Sequence, residues 1–498
     1  MEHLPLSRED VLKIYRADNR PWVIGYSGGK DSTAVTRLVF EGLMSIPPEE
    51  RTKPVFVVSS DTLVETPLVV GIITDTLDKM GKAALSLGLP IVVVPPVNPK
   101  TDETFWVNLI GRGYPAPTRQ FRWCTERMKI DPMSEFIKSK VATFGEVVIV
   151  LGSRSQESSS RAQVMRKHRI EGSRLSRHTS LPNAFVFTPI DEWSADDVWE
   201  YLFSGPAPWG GDHQALFDLY KGSNAGECPL VIDTSTPSCG NSRFGCWTCT
   251  VVTQDRAMDG LIETGHTWMI PLRDFRNKLY NTTLPENKAE FRSNKRRNGT
   301  VTFVTVKGKG DEESTQKQIL GPYKMEYRRK FLAELLSLQV MVDRNNPGPK
   351  YELITKPELE AIRLQWRHDP NEPDWEDYLP QIYKKVMGPD APIDWDVNDD
   401  FVFAGGEGKL ISDLCEKYDL PKELFMKLVE LELSFEGHSR RAKLQEKLAE
   451  LLARDWSDHD LVVKRKREQL GSSHGRDIEE QRLHDQYKIL VGMVGDAA

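Results

Sequence analysis

The sequence predicts an α/β protein with a doubly wound, mostly parallel sheet, followed by a cysteine-rich segment and a helical C-terminal region. Two observations support the sheet. Apolar, β-prone runs alternate with helix-length segments between about residue 20 and residue 205, which is the βαβ rhythm of a parallel sheet. One of these runs passes through a glycine turn directly into the start of a helix. Beyond about residue 325 the spacing of apolar residues becomes helical.

The predicted elements follow in chain order. Strands lie within residues 53–61, 89–96 and 146–155, and the segment 69–87 has the length of a helix. The polar stretch 281–321 indicates a mobile insertion or a short hairpin. Two C-terminal helices are each predicted by an apolar face, the first with Leu424, Phe425, Leu428 and Val429 and the second with Leu444, Leu448, Leu451 and Leu452.

Composition limits the possible functions. The formal charge of −7 argues against a protein that coats nucleic acid, so any contact with nucleic acid must be local. No charged-then-apolar leader opens the sequence, and no apolar run approaches the roughly 20 residues of a membrane span. We therefore expect a cytoplasmic protein without membrane contact. The predicted domains are residues 1–215, 216–270, 271–400 and 401–498.

The run WVIGYSGGKDSTAV, residues 22–35, joins an apolar strand to a helix through Ser27, Gly28 and Gly29. Such a turn points backbone N–H groups and the positive end of the helix dipole at one concavity, which favours phosphate binding. The turn does not fit the ATPase P-loop, because Lys30 stands where that pattern needs glycine. The alternative is an ordinary glycine-containing turn between a strand and a helix.

The string SGGKDS resembles the SGGxDS PP-loop of the ATP pyrophosphatases, which cleave ATP between the α and β phosphates and transfer AMP. The resemblance implies that the N–H groups of Gly28 and Gly29 hold the departing pyrophosphate, since glycine permits close backbone approach. It also implies that Lys30 offsets the added negative charge. The side chains expected in this ATP site are those of Ser27, Lys30, Asp31, Ser32 and Thr33. Of these, Lys30 and Asp31 are predicted to be catalytic.

Two further motifs extend the predicted ATP site. The segment 59–67 carries Asp61 and follows the second strand, at the end of the sheet where parallel strands build ligand crevices. The segment 151–162 resembles the G-x-R-x-x-E-S-x-x-R stretch of the phosphoadenosine phosphosulfate reductase branch, and it carries Arg154 and Arg161. Arginine can grip phosphate through two N–H groups, so we expect Arg154 and Arg161 to bind ATP and Arg154 to act in catalysis. The alternative for either arginine is a solvated helix face.

Four cysteines in a loop-rich segment predict a metal centre. Cys228, Cys239, Cys246 and Cys249 form the pattern C-x10-C-x6-C-x2-C, which is a strong metal signal. Zinc and a [4Fe–4S] cluster both accept four thiolates, so the spacing does not choose between them. We favour the iron–sulfur cluster, because the glycine and aromatic neighbours suit a shielded cluster and the resemblance above involves sulfur chemistry. The alternative is four unligated core cysteines.

The other two cysteines differ from these four. Cys124 stands between Arg122 and Arg127, with Lys129 nearby, and positive neighbours favour the thiolate form. We expect Cys124 to be a catalytic carrier of persulfide sulfur, and the alternative is that it replaces one of the four metal ligands. Cys415 falls on the apolar face of a predicted helix and is expected to be a core residue.

Several motifs together carry a closer resemblance. They are SGGKDST, SSDTLVET, FRWCTERMK, GSRSQES, LSRHTSLPNA and STPSCGNSRFGCWTCTVV. Together they closely resemble the DndC family of bacterial DNA phosphorothioation, over about residues 10–390, and the related SspD family shares the core motifs. The resemblance implies an iron–sulfur ATP pyrophosphatase and sulfurtransferase that modifies DNA. It further implies a cysteine desulfurase as the sulfur source, other Dnd-type proteins as partners, and ATP, a [4Fe–4S] cluster and Mg²⁺ as cofactors.

Other functions share this fold and chemistry. The thiolation of tRNA uses the same sequence of adenylation and sulfur transfer, and sulfonucleotide reductases use the same fold. A reductase of this branch is expected to carry a nucleophilic cysteine near its C-terminus, whereas this sequence ends VGMVGDAA. A non-enzymatic scaffold that keeps ATP as a structural ligand is a further alternative.

Overall fold

The computed structural model describes part of the chain. The described residues are 8–157, 163, 167–221, 245–306, 315–348, 350–369, 371–389, 391, 393–395, 403, 405–433, 435, 443–456, 461–465 and 468. The chain divides into two compact units. The first unit comprises Met1–Trp106, Ala116–Thr283 and Glu334–Glu358, and the second comprises Val107–Pro115, Leu284–Ala333 and Leu359–Ala498. The domain boundaries given above stay predictions.

A six-stranded sheet forms the centre of the first unit, in the order β3-β2-β1-β4-β6-β5. All neighbours pair in parallel except β5, which runs antiparallel to β6. The strands are β1 Trp22–Gly25, β2 Val55–Val58, β3 Ile91–Val93, β4 Val147–Val150, β5 Leu175–Arg177 and β6 Ala184–Phe187. The predicted mostly parallel α/β sheet is therefore confirmed.

Alternate residues of the strands enter different apolar clusters. In β1, Trp22 and Ile24 belong to one buried cluster and Val23 belongs to another. Side chains of a strand point alternately to its two faces, so each face of the sheet has its own apolar core. Every residue of β1, β2 and β4 is buried, as expected for central strands covered by helices on both faces.

Helices make up most of the remaining described structure. They are α1 Arg8–Arg16, α2 Lys30–Ser45, α3 Pro67–Ser86, α4 Trp123–Thr125, α5 Asp131–Phe144, α6 Ala195–Phe203, α7 Gln214–Lys221, α8 Arg256–Glu263, α9 Ile270–Asn281, α10 Lys288–Phe291, α11 Met325–Asn345, α12 Lys356–Arg367, α13 Tyr378–Met387, α14 Gly405–Lys417, α15 Lys422–Leu433 and α16 Leu444–Leu452. Short 3₁₀ turns span Pro48–Glu50, Thr101–Glu103, Ser155–Glu157 and Thr267–Met269, and π-helical turns span Val107–Gly111 and Glu126–Ile130.

The second unit confirms three further predictions. The strands β7 Thr302–Val306 and β8 Thr315–Ile319 pair antiparallel, which confirms the hairpin alternative for the polar stretch. Both predicted C-terminal helices are present as α15 and α16. Cys415 on α14 is only 7% exposed, in agreement with its predicted place in the core. Across both units, none of the described helices combines the length and the apolar character that a membrane span requires.

Candidate nucleotide and sulfur site

The glycine loop 26–29 lies at the reversal point of the sheet. Because β1 is flanked by β2 on one side and by β4 on the other, the carboxyl end of β1 opens onto the crevice where open α/β sheets bind ligands. Gly28 has a φ of +73°, and a Cβ placed on it would lie 2.4 Å from Cγ1 of Ile73. After β4, a Cβ on Gly152 would lie 2.6 Å from the carbonyl carbon of Asp31. Close packing therefore requires glycine at positions 28 and 152. At position 28 the positive φ is a second reason for glycine.

The hydroxyl groups of the loop bind the loop itself. The Ser27 N–H donates to Oγ of Ser32 at 3.2 Å, and the two serine oxygens are 3.1 Å apart. The hydroxyls of Ser32 and Thr33 donate to the Gly29 carbonyl at 3.0 and 2.9 Å. These bonds fix the turn that leads into α2 and so preorganise its backbone N–H groups.

Asp31 is held between two cations. Nζ of Lys30 lies 2.7 Å from Oδ2 of Asp31, and Nε of Arg154 donates to Oδ1 at 2.7 Å. All three residues are 3–5% exposed. We call Lys30, Asp31 and Arg154 the loop cluster. Within this cluster, two buried cations surround one carboxylate, a balance that favours an anion in the adjacent crevice.

Tyr220 is a loop neighbour that the sequence reasoning missed. It lies on α7, and its hydroxyl accepts a hydrogen bond of 3.0 Å from the backbone N–H of Lys30. Its ring centroid is 5.7 Å from Nζ of Lys30. No motif contains this tyrosine, and 190 residues separate the two partners, so no local spacing could have predicted the contact.

A second group of polar residues follows the carboxyl end of β2. The Leu63 N–H donates to Oδ1 of Asp61 at 2.8 Å. Burial raises the pKa of Asp61, and the nearby Glu65 carboxylate raises it further. Oε1 of Glu65 accepts a hydrogen bond of 2.9 Å from Thr62 and lies 3.3 Å from Nζ of Lys129. The Lys129 ammonium pairs with Glu65 and partly offsets the rise in the pKa of Asp61.

The CxxC pair joins this group through backbone pairing. Glu65 and Cys246 form an antiparallel bridge, and the Cys249 N–H donates to the Cys246 carbonyl at 3.0 Å, which closes a tight turn. Sγ of Cys246 lies 3.4 Å from Oγ1 of Thr62 and donates to Oε1 of Glu65 at 3.7 Å. Nε of Arg276 donates to the Cys249 carbonyl at 2.7 Å, which helps to hold the turn.

Burial raises the pKa of Cys246 well above its usual range, and the charges of Glu65 and Cys124 add to the effect. Cys124, on α4, is therefore close enough to Cys246 to act on its ionisation. We call Asp61, Glu65, Cys124, Lys129 and Cys246 the cysteine cluster. The predicted sulfur carrier thus lies within electrostatic range of one of the predicted metal ligands.

Two of the three cations predicted to surround Cys124 pair with carboxylates. Arg127 pairs with Glu103, and Lys129 pairs with Glu65. Nε and Nη1 of Arg122 are buried and have no hydrogen-bond partner within the described part of the chain. The role of these cations in lowering the pKa of Cys124 stays a prediction.

The other predicted site residues, Cys228, Cys239 and Arg161, lie outside the described residues. Among the residues that are described, no group of three Cys, His, Asp or Glu side chains is arranged to hold a metal ion. The Cys246–Cys249 turn nevertheless fits a thiolate-bound metal, since it carries two soft ligands close together. A buried thiol of raised pKa ionises readily only when a positive charge such as a metal ion arrives.

Comparisons with known proteins place a family domain over this site. Residues 21–252 match the model of the phosphoadenosine phosphosulfate reductase domain. Two uncharacterized proteins of Methanocaldococcus jannaschii are similar: one is 28% identical over 208 residues, and the other is 27% identical over 207 residues. These matches cover 42% and 41% of this chain, but only 36% and 42% of the relatives' own lengths.

Two solved structures share a weaker likeness. One is Candida glabrata FMN adenylyltransferase in complex with FAD and inorganic pyrophosphate, at 16% identity and a TM-score of 0.24, with coverage of 39% of this chain and 51% of that chain. The other is the U34-tRNA thiolase NcsA of Methanococcus maripaludis with its [4Fe-4S] cluster, at 14% identity and a TM-score of 0.24, with coverage of 43% and 71%. TM-scores this low support no inference. Residues 21–252, just under half of the chain, are thus similar to the phosphoadenosine phosphosulfate reductase domain, and the mostly parallel sheet agrees with that match.

Proposed function

We propose that the protein is an ATP pyrophosphatase and sulfurtransferase that replaces a non-bridging oxygen of the DNA backbone by sulfur. One observation carries the proposal: the first unit holds both the loop cluster, with Lys30 and Asp31 after β1, and the cysteine cluster, with Asp61 and Glu65 after the neighbouring strand β2. A phosphate-binding loop beside a set of thiols suits a reaction that activates an oxygen with ATP and then delivers sulfur. The family domain and the resemblance to DndC-like proteins support the same chemistry.

In the first step the glycine loop positions ATP. The N–H groups of Gly28, Gly29 and the first turn of α2 bind the β and γ phosphates, and the excess positive charge of the loop cluster stabilises the leaving pyrophosphate. A phosphate oxygen of DNA attacks the α phosphorus, the bond to the β phosphate breaks, and pyrophosphate leaves with both electrons of that bond. The product is an adenylated DNA phosphate. Mg²⁺ accompanies the nucleotide in this proposal.

The second step replaces the activated oxygen. The terminal sulfur of a persulfide on Cys124 attacks the DNA phosphorus, and AMP leaves with the former phosphate oxygen. The sulfur then joins phosphorus to Cys124 through an S–S bond. A thiol of an external reductant attacks the Cys124 sulfur: a disulfide between the reductant and Cys124 forms, the S–S bond to the DNA sulfur breaks, and the DNA phosphorothioate leaves with that bond's electrons. A cysteine desulfurase supplies the persulfide, and other Dnd-type proteins assemble with this chain on DNA.

A [4Fe–4S] cluster is the proposed metal centre, with Cys228, Cys239, Cys246 and Cys249 as its ligands. When bound, such a cluster supplies an iron centre that can hold sulfur. Anaerobic purification followed by iron, sulfide and zinc assays tests this part. Cys246→Ser should remove iron and sulfide, whereas Cys415→Ser, at a buried cysteine of the second unit, should keep both. Stoichiometric zinc without iron in the wild type would contradict the iron–sulfur assignment.

The substrate is tested by mass spectrometry of nuclease-digested DNA and tRNA. Cells with the wild-type gene should contain phosphorothioate-linked dinucleotides, and cells without the gene should contain none. Thiolated tRNA nucleosides should be the same in both. If the gene instead adds a thiolated nucleoside to tRNA and leaves DNA unchanged, the protein is a tRNA thiolase and the DNA proposal is wrong.

Cys124→Ser separates the two roles left open for Cys124. A serine hydroxyl cannot hold a persulfide, so the variant should lose DNA sulfur while iron content and ATP cleavage stay within about twofold of the wild type. Loss of iron together with activity would show that Cys124 is a metal ligand. Unchanged DNA sulfur would exclude both roles.

A further inference from the structure

The hydroxyl of Tyr220 lies at the N-terminus of α2, the helix that follows the glycine loop. Its hydroxyl oxygen accepts the Lys30 N–H at 3.0 Å, and a Cβ on Gly29 would lie 3.1 Å from that oxygen. The hydroxyl is therefore in contact with the loop backbone. Tyr220 comes from α7, so this contact depends on the packing of the unit rather than on the loop sequence.

Tyr220 binds the backbone N–H of Lys30, a group that can also donate a hydrogen bond to a phosphate oxygen. Lys30 is the first residue of the 16-residue helix α2, and its N–H has no acceptor inside the helix. The preceding residue, Gly29, provides no side-chain cap. The N–H groups at this end of a helix, together with its dipole, form the usual protein site for a phosphate oxygen. In this structure a neutral tyrosine oxygen takes that acceptor position.

We propose that the Tyr220 hydroxyl occupies the place of a phosphate oxygen in the nucleotide-free protein, and that pyrophosphate or ATP displaces it on binding. The inference rests on the proposed function of the glycine loop. The Lys30 N–H carries one proton and gives one strong hydrogen bond, so the hydroxyl and a phosphate oxygen compete for it.

The surroundings of Tyr220 are compatible with displacement of its hydroxyl. The Tyr220 side chain is half-buried, so a released hydroxyl can bond to water. The ring packs edge-on against Trp199, with centroids 5.2 Å apart, and this contact can persist while the hydroxyl swings away from the loop. Tyr220 thus accepts the hydrogen bond of the Lys30 N–H until the nucleotide binds.

Calorimetric titration of wild-type protein and Tyr220→Phe with inorganic pyrophosphate and a non-hydrolysable ATP analogue tests the inference. Phenylalanine keeps the ring and removes the competitor, so the Kd of both ligands should fall about 3- to 10-fold. Tyr201→Phe is the matched control. Its hydroxyl donates to Oε2 of Glu41 at 3.1 Å, and the Kd of both ligands should stay unchanged in this variant.

The outcomes separate this inference from the proposed function. A higher Kd in Tyr220→Phe would mean that the hydroxyl binds phosphate directly, which overturns displacement. An unchanged Kd would also overturn it, because the hydroxyl would then not compete with the ligand. Failure of the folded wild type to bind either ligand would instead remove the proposed nucleotide site itself. Thermal unfolding of each variant without ligand confirms that it is folded.

Discussion

The loop cluster, with Lys30 and Asp31 after β1, and the cysteine cluster, with Asp61 and Glu65 after the neighbouring strand β2, have opposite charge balance. In the loop cluster, Lys30 and Arg154 both bind Asp31, so cations exceed carboxylates. In the cysteine cluster, Asp61 and Glu65 have Lys129 as their close cation, so carboxylates exceed cations. The same edge of the sheet therefore favours an anion after β1 and a cation after β2.

The ionisable groups of the cysteine cluster show the consequence of that balance. Burial raises the pKa values of Asp61 and Cys246, and it does the same for Tyr351, whose hydroxyl donates to the Glu65 carbonyl at 2.8 Å. The negative charges of neighbouring groups raise all three further. Each group is thereby held towards its neutral form, and a metal ion would reverse this by adding positive charge.

The largest expected effect is the loss of stability on removing the carboxylate of the loop cluster. Asp31→Asn leaves two buried cations without their shared anion and should lower the free energy of unfolding by about 3 kcal/mol or more. Urea denaturation measures it. Asp75→Asn is the control, because Asp75 binds Lys79 at the same 2.7 Å but both side chains are exposed. That change should cost less than about 1 kcal/mol. Equal losses of stability in the two variants would show that the buried carboxylate of the loop cluster stabilises the fold no more than an exposed ion pair does.

The next largest effect is expected on ATP cleavage, when Gly28 of the glycine loop is replaced. Gly28→Val places a side chain at a φ of +73° and against Ile73, so ATP cleavage should fall on the order of 100-fold or more. Pyrophosphate release measures it. Gly28→Val combined with Ile73→Ala relieves the clash and should stay inactive, since the backbone still cannot approach phosphate. Gly71→Ala, where a Cβ meets no neighbour within 4 Å, should be fully active. Recovery of activity in the double variant would show that Gly28 is needed only to pack against Ile73 and not for backbone approach to phosphate.

The smallest expected effect is that of Asp61→Asn on the free energy of unfolding. It should have the opposite sign to the effect of Asp31→Asn. A carboxyl whose pKa is raised by folding stabilises the fold most below its unfolded pKa, and this contribution is lost as pH rises through the folded pKa. Asp61→Asn should therefore match or exceed wild-type stability at about pH 7, by up to about 1 kcal/mol, and lose that advantage near pH 4. Urea denaturation at several pH values measures it. A loss of stability at neutral pH as large as that of Asp31→Asn would refute the contrast between the clusters.

Local sequence patterns predicted the strands β1 to β4 and the glycine loop, because each depends on residues close together in the chain. The partners of those residues could not be predicted in the same way. Tyr220 on the loop and Tyr351 on Glu65 come from segments 190 and 286 residues away, and packing alone brings them there. The phosphate role of Arg154 stays a prediction; its Nε also binds Asp31, a pairing that no motif spacing reveals.

If the glycine loop acts as proposed, it releases the β and γ phosphates of ATP as one unit. The most direct test is to incubate the purified wild type with ATP and Mg²⁺ and to separate the products by ion-exchange chromatography, with Gly28→Val purified in parallel to reveal contaminating ATPases. We predict equal amounts of AMP and pyrophosphate from the wild type and neither from the variant. ADP and inorganic phosphate as the wild-type products would contradict the claim.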